Sequence, residues 1–358
     1  MATRIYLDHA ATTPMLPAAM AAVEAGMRHW ANPSSPHAEG RAARAMFEAA
    51  RAQIAAAHGW TDETLLTGGA SEALTIALGR ATVPRRLIGA TEHDAVIRAA
   101  PGADVVPVDA SGLLDLDRLA ALLADAPPAL VAVQWANSET GVRQPIADIA
   151  VIVHGASGLL LVDAAQMPPG ADPALAEHAD FVALSSHKRG GPPGAGALLV
   201  RDLATLEPSG GQERGYRPGT ENVPGVLGYA AAVSEVPDIA YWAAMRARLD
   251  DAIQRSGGEV VGAGAPRHPA IGSYRMPGVA ATVQLIRLDL AGISVSAGSA
   301  CSSGSMKPSH VLAAMGWQEP ALREVLRVSF GATTSEAEIE TFIAAWRAIA
   351  REARSRAA

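Results

Sequence analysis

The apolar positions in the first half of the chain fall into two kinds of stretch. Residues 16–29 and 38–58 are alanine-rich and read as helices. Short apolar runs come after them at 86–90, 105–108, 130–135, 159–162 and 181–184. Most are bounded by Gly, Pro, Asp or Asn and separated by stretches of helix length. Nearly continuous apolar strands alternating with helices predict an α/β fold with a mainly parallel sheet flanked by helices. The pattern fades in the Gly- and Pro-rich stretch 208–224, and 230–256 then reads as one long helix bridging into a second unit. Strand-like runs at 281–286 and 326–330 and a helix at 336–354 predict a smaller α+β unit. The expected division is a large unit at 15–240 and a small unit made of 1–14 and 241–358.

Composition narrows the class. A chain of 358 residues fits two domains or one large α/β unit, and 49% hydrophobic with 18% charged residues is globular rather than disordered. The charge is 29 − 36 = −7 with no basic patch, which argues against nucleic acid as a partner. No apolar run approaches the ~18 residues needed to span a bilayer. The first residues, Met1 to Asp8, contain no apolar stretch of secretory type, so a cytoplasmic location is expected. One cysteine excludes an intrachain disulfide or a multi-cysteine metal site, and no metal is expected. Only Lys188 and Lys307 are lysines; the other 27 of the 29 cationic side chains are arginines, which do not release a proton at working pH. Any chemistry that needs an amine has two candidates.

In open α/β sheets ligands sit beyond the carboxyl ends of the strands, so the residues just after each apolar run are the candidates for chemistry. Thr67-Gly68-Gly69-Ala70-Ser71-Glu72 precedes a helical run and is either an anion cradle at a helix N-terminus or a plain serine cap. Asp163 and Gln166 come after the 159–162 run; the pair suits a protonated ring nitrogen and a neighbouring oxygen, while a lone Asp also caps helices. Lys188 comes after 181–184 in Ser185-Ser186-His187-Lys188, before a Gly/Pro turn, and a lysine in a cleft can condense with an aldehyde cofactor and shuttle protons. Lys307, in a Ser/Gly/Pro loop, reads as a surface charge. His93 is a candidate for ring stacking or proton movement, and His9 for ordering the N-terminal turn. Cys301 sits in Gly298-Ser299-Ala300-Cys301-Ser302-Ser303-Gly304, small residues that suit an accessible reactive thiol more than a core position. Arg327 interrupts an apolar run and either grips a carboxylate or belongs to an internal ion pair.

A phosphate cradle, a carboxylate for a pyridine nitrogen, a strand-end lysine and a stacking histidine are together the parts that pyridoxal phosphate needs. The sequence resembles the fold-type I, class V aminotransferase superfamily, and within it the NifS/IscS-type cysteine desulfurases. The likeness runs nearly end to end. It is carried by Tyr6-Leu7-Asp8-His9-Ala10-Ala11-Thr12-Thr13-Pro14, Asn32-Pro33-Ser34-Ser35-Pro36-His37, Glu92-His93, Asn137-Ser138-Glu139-Thr140-Gly141, Val162-Asp163-Ala164-Ala165-Gln166, Ser186-His187-Lys188, Arg217-Pro218-Gly219-Thr220 and Gly298-Ser299-Ala300-Cys301.

The resemblance implies roles. Lys188 holds the cofactor and moves protons, Asp163 pairs with the pyridinium nitrogen, and His93 stacks on the ring. Gln166 and Asn137 contact the ring hydroxyl side. Ala70, Ser71, Ser185 and His187 bind the phosphate, with Thr220 contributed by the other subunit of a homodimer. Arg327 with Asn32 holds the substrate carboxylate, and Cys301 takes sulfur from L-cysteine as a persulfide, leaving L-alanine. The sulfur then passes to an acceptor or scaffold protein, IscU- or SufE-like, for iron–sulfur cluster or thio-cofactor synthesis. The rival reading keeps fold and cofactor but makes the protein an aminotransferase, or a cystine or selenocysteine lyase, on small amino acids.

Overall fold

The computed structural model describes residues 4–297 and 308–357. In chain order the elements are β1 (Ile5–Tyr6), α1 (Pro17–Arg28), α2 (Ala38–Ala57), β2 (Glu63–Thr67), α3 (Ala70–Arg80), β3 (Arg85–Gly89), α4 (Asp94–Ala99), β4 (Asp104–Val106), α5 (Leu116–Leu123), β5 (Ala129–Gln134), α6 (Ile146–Gly155), β6 (Leu159–Asp163), α7 (Pro173–His178) and β7 (Phe181–Ser185). The second half contributes β8 (Gly196–Val200), α8 (Val223–Val233), α9 (Ile239–Arg255), β9 (Glu259–Val260), β10 (Ile271–Arg275), α10 (Ala281–Leu290), β11 (Ile293–Ser294), α11 (His310–Ala314), β12 (Val325–Ser329) and α12 (Glu336–Ala357). Among the described residues no helix is long and apolar enough to cross a membrane.

Seven strands form one sheet in the order β2-β8-β7-β6-β5-β3-β4. Strands β4, β3, β5, β6 and β7 run parallel, and β8 enters antiparallel between β7 and β2. Successive side chains of a strand point to opposite faces, so each strand feeds two cores. Val131, Val133, Leu160, Val162, Val182 and Leu184 pack into one core, which also takes Phe47 and Ile54 of α2. Leu130, Ala132, Leu161, Phe181 and Ala183 pack into the other with Ala73 and Leu74 of α3. A third core gathers Tyr274, Leu326 and Val328 of the three-stranded sheet β12-β10-β9 with Leu249, Phe342 and Trp346 of α9 and α12.

The N-terminal strand ties this third core to the large sheet's ligand edge. β1 pairs parallel with β11, Leu7 is fully buried in the third core, and Ser329 N donates to Leu7 O. Residues 8–13 then turn, Ala11 N donating to Asp8 O (3.0 Å), and reach the loop after β7, where Thr13 N donates to His187 O.

Two sequence expectations are corrected, and strands outside the expected runs are present. Residues 281–286 are not a strand but the start of α10: Ala281, Gln284 and Leu288 are buried at helical spacing while Val283, Ile286 and Leu290 face outward. The 230–256 stretch is two helices, because Pro237 interrupts it and the Asp238 side chain caps α9 by accepting from Tyr241 N (2.9 Å). Strands β8 and β10 are additions to the elements expected from sequence, the first because Gly196-Ala197 lacks the β-branched signal.

Candidate active site

Strand register brings the candidates together. Gln134 ends β5 opposite Asp163, which ends β6; Asp163 lies opposite Ala183 of β7; and Ser185, which ends β7, lies opposite Gly196, which is paired in turn with Thr67, the last residue of β2. Four strand ends therefore share one edge. A cavity of about 460 Å³ lies there, lined by Ser71, His93, Gln134, Asp163, Gln166 and Lys188 among others.

Lys188 sits on a single 3-10 turn, His187–Arg189, directly after β7, and Gly190 closes the turn with φ +78°, a conformation that favours glycine. The turn is fastened to the N-terminal segment: Thr13 N donates to His187 O (2.9 Å) and Thr13 Oγ1 to Lys188 O (3.1 Å). Lys188 Nζ donates to Ala10 O. Burial, aided by the Arg327 charge and opposed by Asp163, lowers the ammonium pKa to about 8. At neutral pH this amine carries a larger neutral fraction than a solvated lysine.

Asp163 accepts from Ala165 N (3.0 Å), and burial raises its pKa against the pull of that hydrogen bond, His93 and Lys188. His93 caps α4, its Nδ1 accepting from Ala95 N (3.1 Å), which leaves the proton of the neutral ring on Nε2. Burial lowers the His93 pKa and favours that neutral form. Gln166 is buried; Nε2 donates to Ala10 O (3.0 Å), and Oε1 has no partner among the described residues.

The other end of the cavity is built by backbone. Gly68 and Gly69 lead into α3, and Gly69 holds φ +144°. Gly196 lies so close beneath that an added Cβ would stand 2.5 Å from both Gly69 Cα and Leu184 O. The helix N-terminus already holds one negative group: Glu72 accepts from Gly68 N and from Arg217 Nε (3.0 Å). Ser185 and His187 also line the cavity. Burial, then the Lys188 charge, lowers the His187 pKa to about 4, and its Nδ1 meets Thr12 Oγ1 at 3.1 Å.

Other expected residues stand elsewhere. Asn137 is buried but outside the cavity lining, with Nδ2 donating to Thr91 O (3.0 Å) and Gln134 Oε1 (3.1 Å) and Oδ1 accepting from Glu139 N (2.9 Å) and Thr140 N (2.8 Å). The amide oxygen shapes the 137–141 turn, and the amide nitrogen ties that turn to Thr91 and Gln134. Arg327 is buried on β12, paired with Asp8 Oδ1 (2.7 Å) and donating to Ser138 O (3.0 Å), so the internal ion pair is present; Nε has no partner among the described residues. Asn32 is exposed at the 32–35 turn, its Oδ1 accepting from Ser34 N (2.9 Å), and Thr220 is exposed; neither lines the cavity. Cys301 and Lys307 lie outside the described residues.

Residues 5–342 match the family model for class-V aminotransferases. The chain belongs to that family. Over 95% of its length it is 36% identical to a cysteine desulfurase of Cereibacter sphaeroides, covering 94% of that protein. Over 94% it is 37% identical to an IscS-like cysteine desulfurase of Mycobacterium tuberculosis, covering 93% of it. The X-ray structure of a NifS-like protein from Rickettsia africae superimposes with a TM-score of 0.88 at 31% identity, covering 97% of this chain and 99% of that one.

Class-V aminotransferases work with pyridoxal phosphate, and the residues present fit it. A carboxylate raised by burial stands at the cavity wall, an amide oxygen nearby lacks a partner among the described residues, an amine of lowered pKa faces the same space, and a glycine-lined helix start draws negative charge at one end. Gln134 and Ser138, which are not among the residues expected from sequence, line this cavity too. The strand-end rule that found Asp163 points equally to Gln134, the last residue of β5.

Proposed function

We propose that this class-V protein is a cysteine desulfurase that moves sulfur from L-cysteine to Cys301 and on to an acceptor. The observation that carries the reading is the meeting of Lys188 and Asp163 on one cavity, in a chain similar to cysteine desulfurases over 94–95% of its length. The 15–240 and 1–14 plus 241–358 division is the domain boundary we adopt.

In this reading Asp163 holds the ring nitrogen of pyridoxal phosphate, His93 covers the ring face, and Gln166 faces the ring hydroxyl. Gly69, Ala70, Ser71, Ser185 and His187 hold the phosphate. When bound, pyridoxal phosphate supplies an electron sink that allows the substrate Cα–H and Cβ–S bonds to part heterolytically. Lys188 takes the Cα proton and returns it, a task that suits an amine with a pKa near the working pH. The Arg327 and Asp8 pair, held beside Ser138, orients the substrate carboxylate through the guanidinium. The Cys301 thiolate attacks the substrate sulfur: an S–S bond forms as the C–S bond breaks, the electron pair stays with the substrate carbon, and a proton there completes L-alanine. Cysteine plus one thiol thus gives alanine plus one persulfide, with no external oxidant.

Asn137 acts in this scheme through the turn that carries Ser138. Asn32 and Thr220 are exposed on one chain, and a homodimer is the arrangement in which Thr220 reaches the partner's phosphate site. A cytoplasmic location keeps the free Cys301 thiol out of disulfides between turnovers. An IscU- or SufE-like protein is the class of acceptor that fits. Cys301→Ser is expected to keep the cofactor absorbance of the wild type and to lose alanine and sulfide formation by at least a hundredfold. Wild-type sulfide release by that variant would remove Cys301 from the mechanism.

A further inference from the structure

Lys188 and Gln166 also line a second, smaller cavity of about 60 Å³, together with His9, Arg189, Trp242 and His268. Arg189 and Lys188 are the cations at its wall. One Arg189 nitrogen donates to Gln166 O (3.2 Å), and Nε is buried without an acceptor among the described residues. Among the described residues the guanidinium forms no salt bridge to a carboxylate, and burial lowers its pKa to about 10.

The neighbouring rings do not supply the missing negative charge. His268 Nε2 donates to Gln166 O (3.0 Å) and Nδ1 accepts from Ala270 N (2.9 Å), which fixes a neutral tautomer. His9 Nδ1 is buried without a partner among the described residues, and burial keeps that ring uncharged at neutral pH. The single carboxylate in the lining is Glu235, which is exposed. Trp242, Phe330 and Leu16 complete a largely apolar wall. Arg189 is half-buried, and a cation left without a counter-charge in such surroundings is costly in proportion to its desolvation. The volume exceeds the ~10–15 Å³ that one water needs, which leaves room for a monoatomic ion with a water or two.

We propose that this cavity binds one small inorganic anion of chloride type on the Arg189 guanidinium, as counter-ion to Arg189 and the adjacent Lys188. The site is independent of which amino acid the enzyme uses. An anion beside Lys188 favours the protonated state of the nitrogen that this residue carries, so anion binding and that proton are coupled in sign.

The test uses the holoenzyme in gluconate buffer at constant ionic strength, titrated with sodium chloride. Chloride-35 line broadening reads binding directly, and the pH midpoint of the cofactor's absorbance reads the effect on Lys188. Saturable broadening is expected, with an upward shift of the midpoint as the site fills. In Arg189→Met the affinity should fall at least tenfold and the shift should vanish, while Arg189→Lys should keep a weakened form of both. Non-saturable broadening in the wild type overturns the proposal even if Arg189→Met does not fold. So does broadening that survives unchanged in a folded Arg189→Met. Desulfurase failure would leave both readouts intact, so the two claims are separable.

Discussion

At Lys188 burial and the Arg327 charge push protons off the amine while Asp163 holds them on, and burial wins, leaving a pKa of about 8. Only the neutral amine can attack an aldehyde. The rate at which the cofactor-free protein captures pyridoxal phosphate should therefore rise about tenfold per pH unit below pH 8 and level off above it. Stopped-flow absorbance between pH 6 and 10.5 checks this; a rate still climbing past pH 10 would mean an ordinary solvated lysine. Asp163 is legible in sequence because it comes directly after an apolar run, and Lys188 because it lies four residues past one in a chain where lysine is so scarce. Arg327 is legible only as an alternative. Its partner, Asp8, is 319 positions away, and nothing local to either residue announces the pair. The engagement of Asn137 is hidden for a related reason: one of the two acceptors of its amide nitrogen is Thr91 O, 46 positions away and brought near by the pairing of β3 with β5.

At the scale of elements, the strands buried on both faces are readable as apolar runs, since a parallel sheet covered by helices leaves no polar face. Helix α10 is not, because Val283, Ile286 and Leu290 are apolar yet point outward and mask the helical period. Strand β8 matters most to the site and has the weakest signal, for the reason that also makes it testable. Gly196 has backbone on both sides, Gly69 and Leu184, and neither can retreat as a flexible side chain would. Gly196→Ala should cost about 1–3 kcal/mol of stability by overpacking and should weaken pyridoxal phosphate binding by displacing Gly69. Denaturant midpoints and a cofactor titration measure the two effects. A variant with wild-type values of both would show that the cradle does not depend on this contact.

For the whole molecule, the N-terminal segment is the piece that joins two cores at the site. Leu7 is buried in the third core, while Ala10 O receives both Gln166 and Lys188. The same close packing buries histidines. Burial lowers His58 to about 4, and both its ring nitrogens lack partners among the described residues. A base whose folded pKa lies below its unfolded value near 6.5 gives stability that is complete above that value and lost as pH falls toward 4. Buried Glu92, raised well above its ordinary range, works in the opposite sense, so the wild type alone does not isolate the effect. His58→Leu does: its Tm should gain on the wild type progressively between pH 7 and pH 5. A constant difference across that range would mean that His58 does not titrate on unfolding.

The central claim is the reaction itself. It is tested most directly by measuring alanine and sulfide from L-cysteine with a thiol reductant present, with and without a keto acid. Equal amounts of alanine and sulfide are expected, with no requirement for a keto acid. Turnover that needs a keto acid, with no sulfide released, would make this class-V protein an aminotransferase and contradict the account.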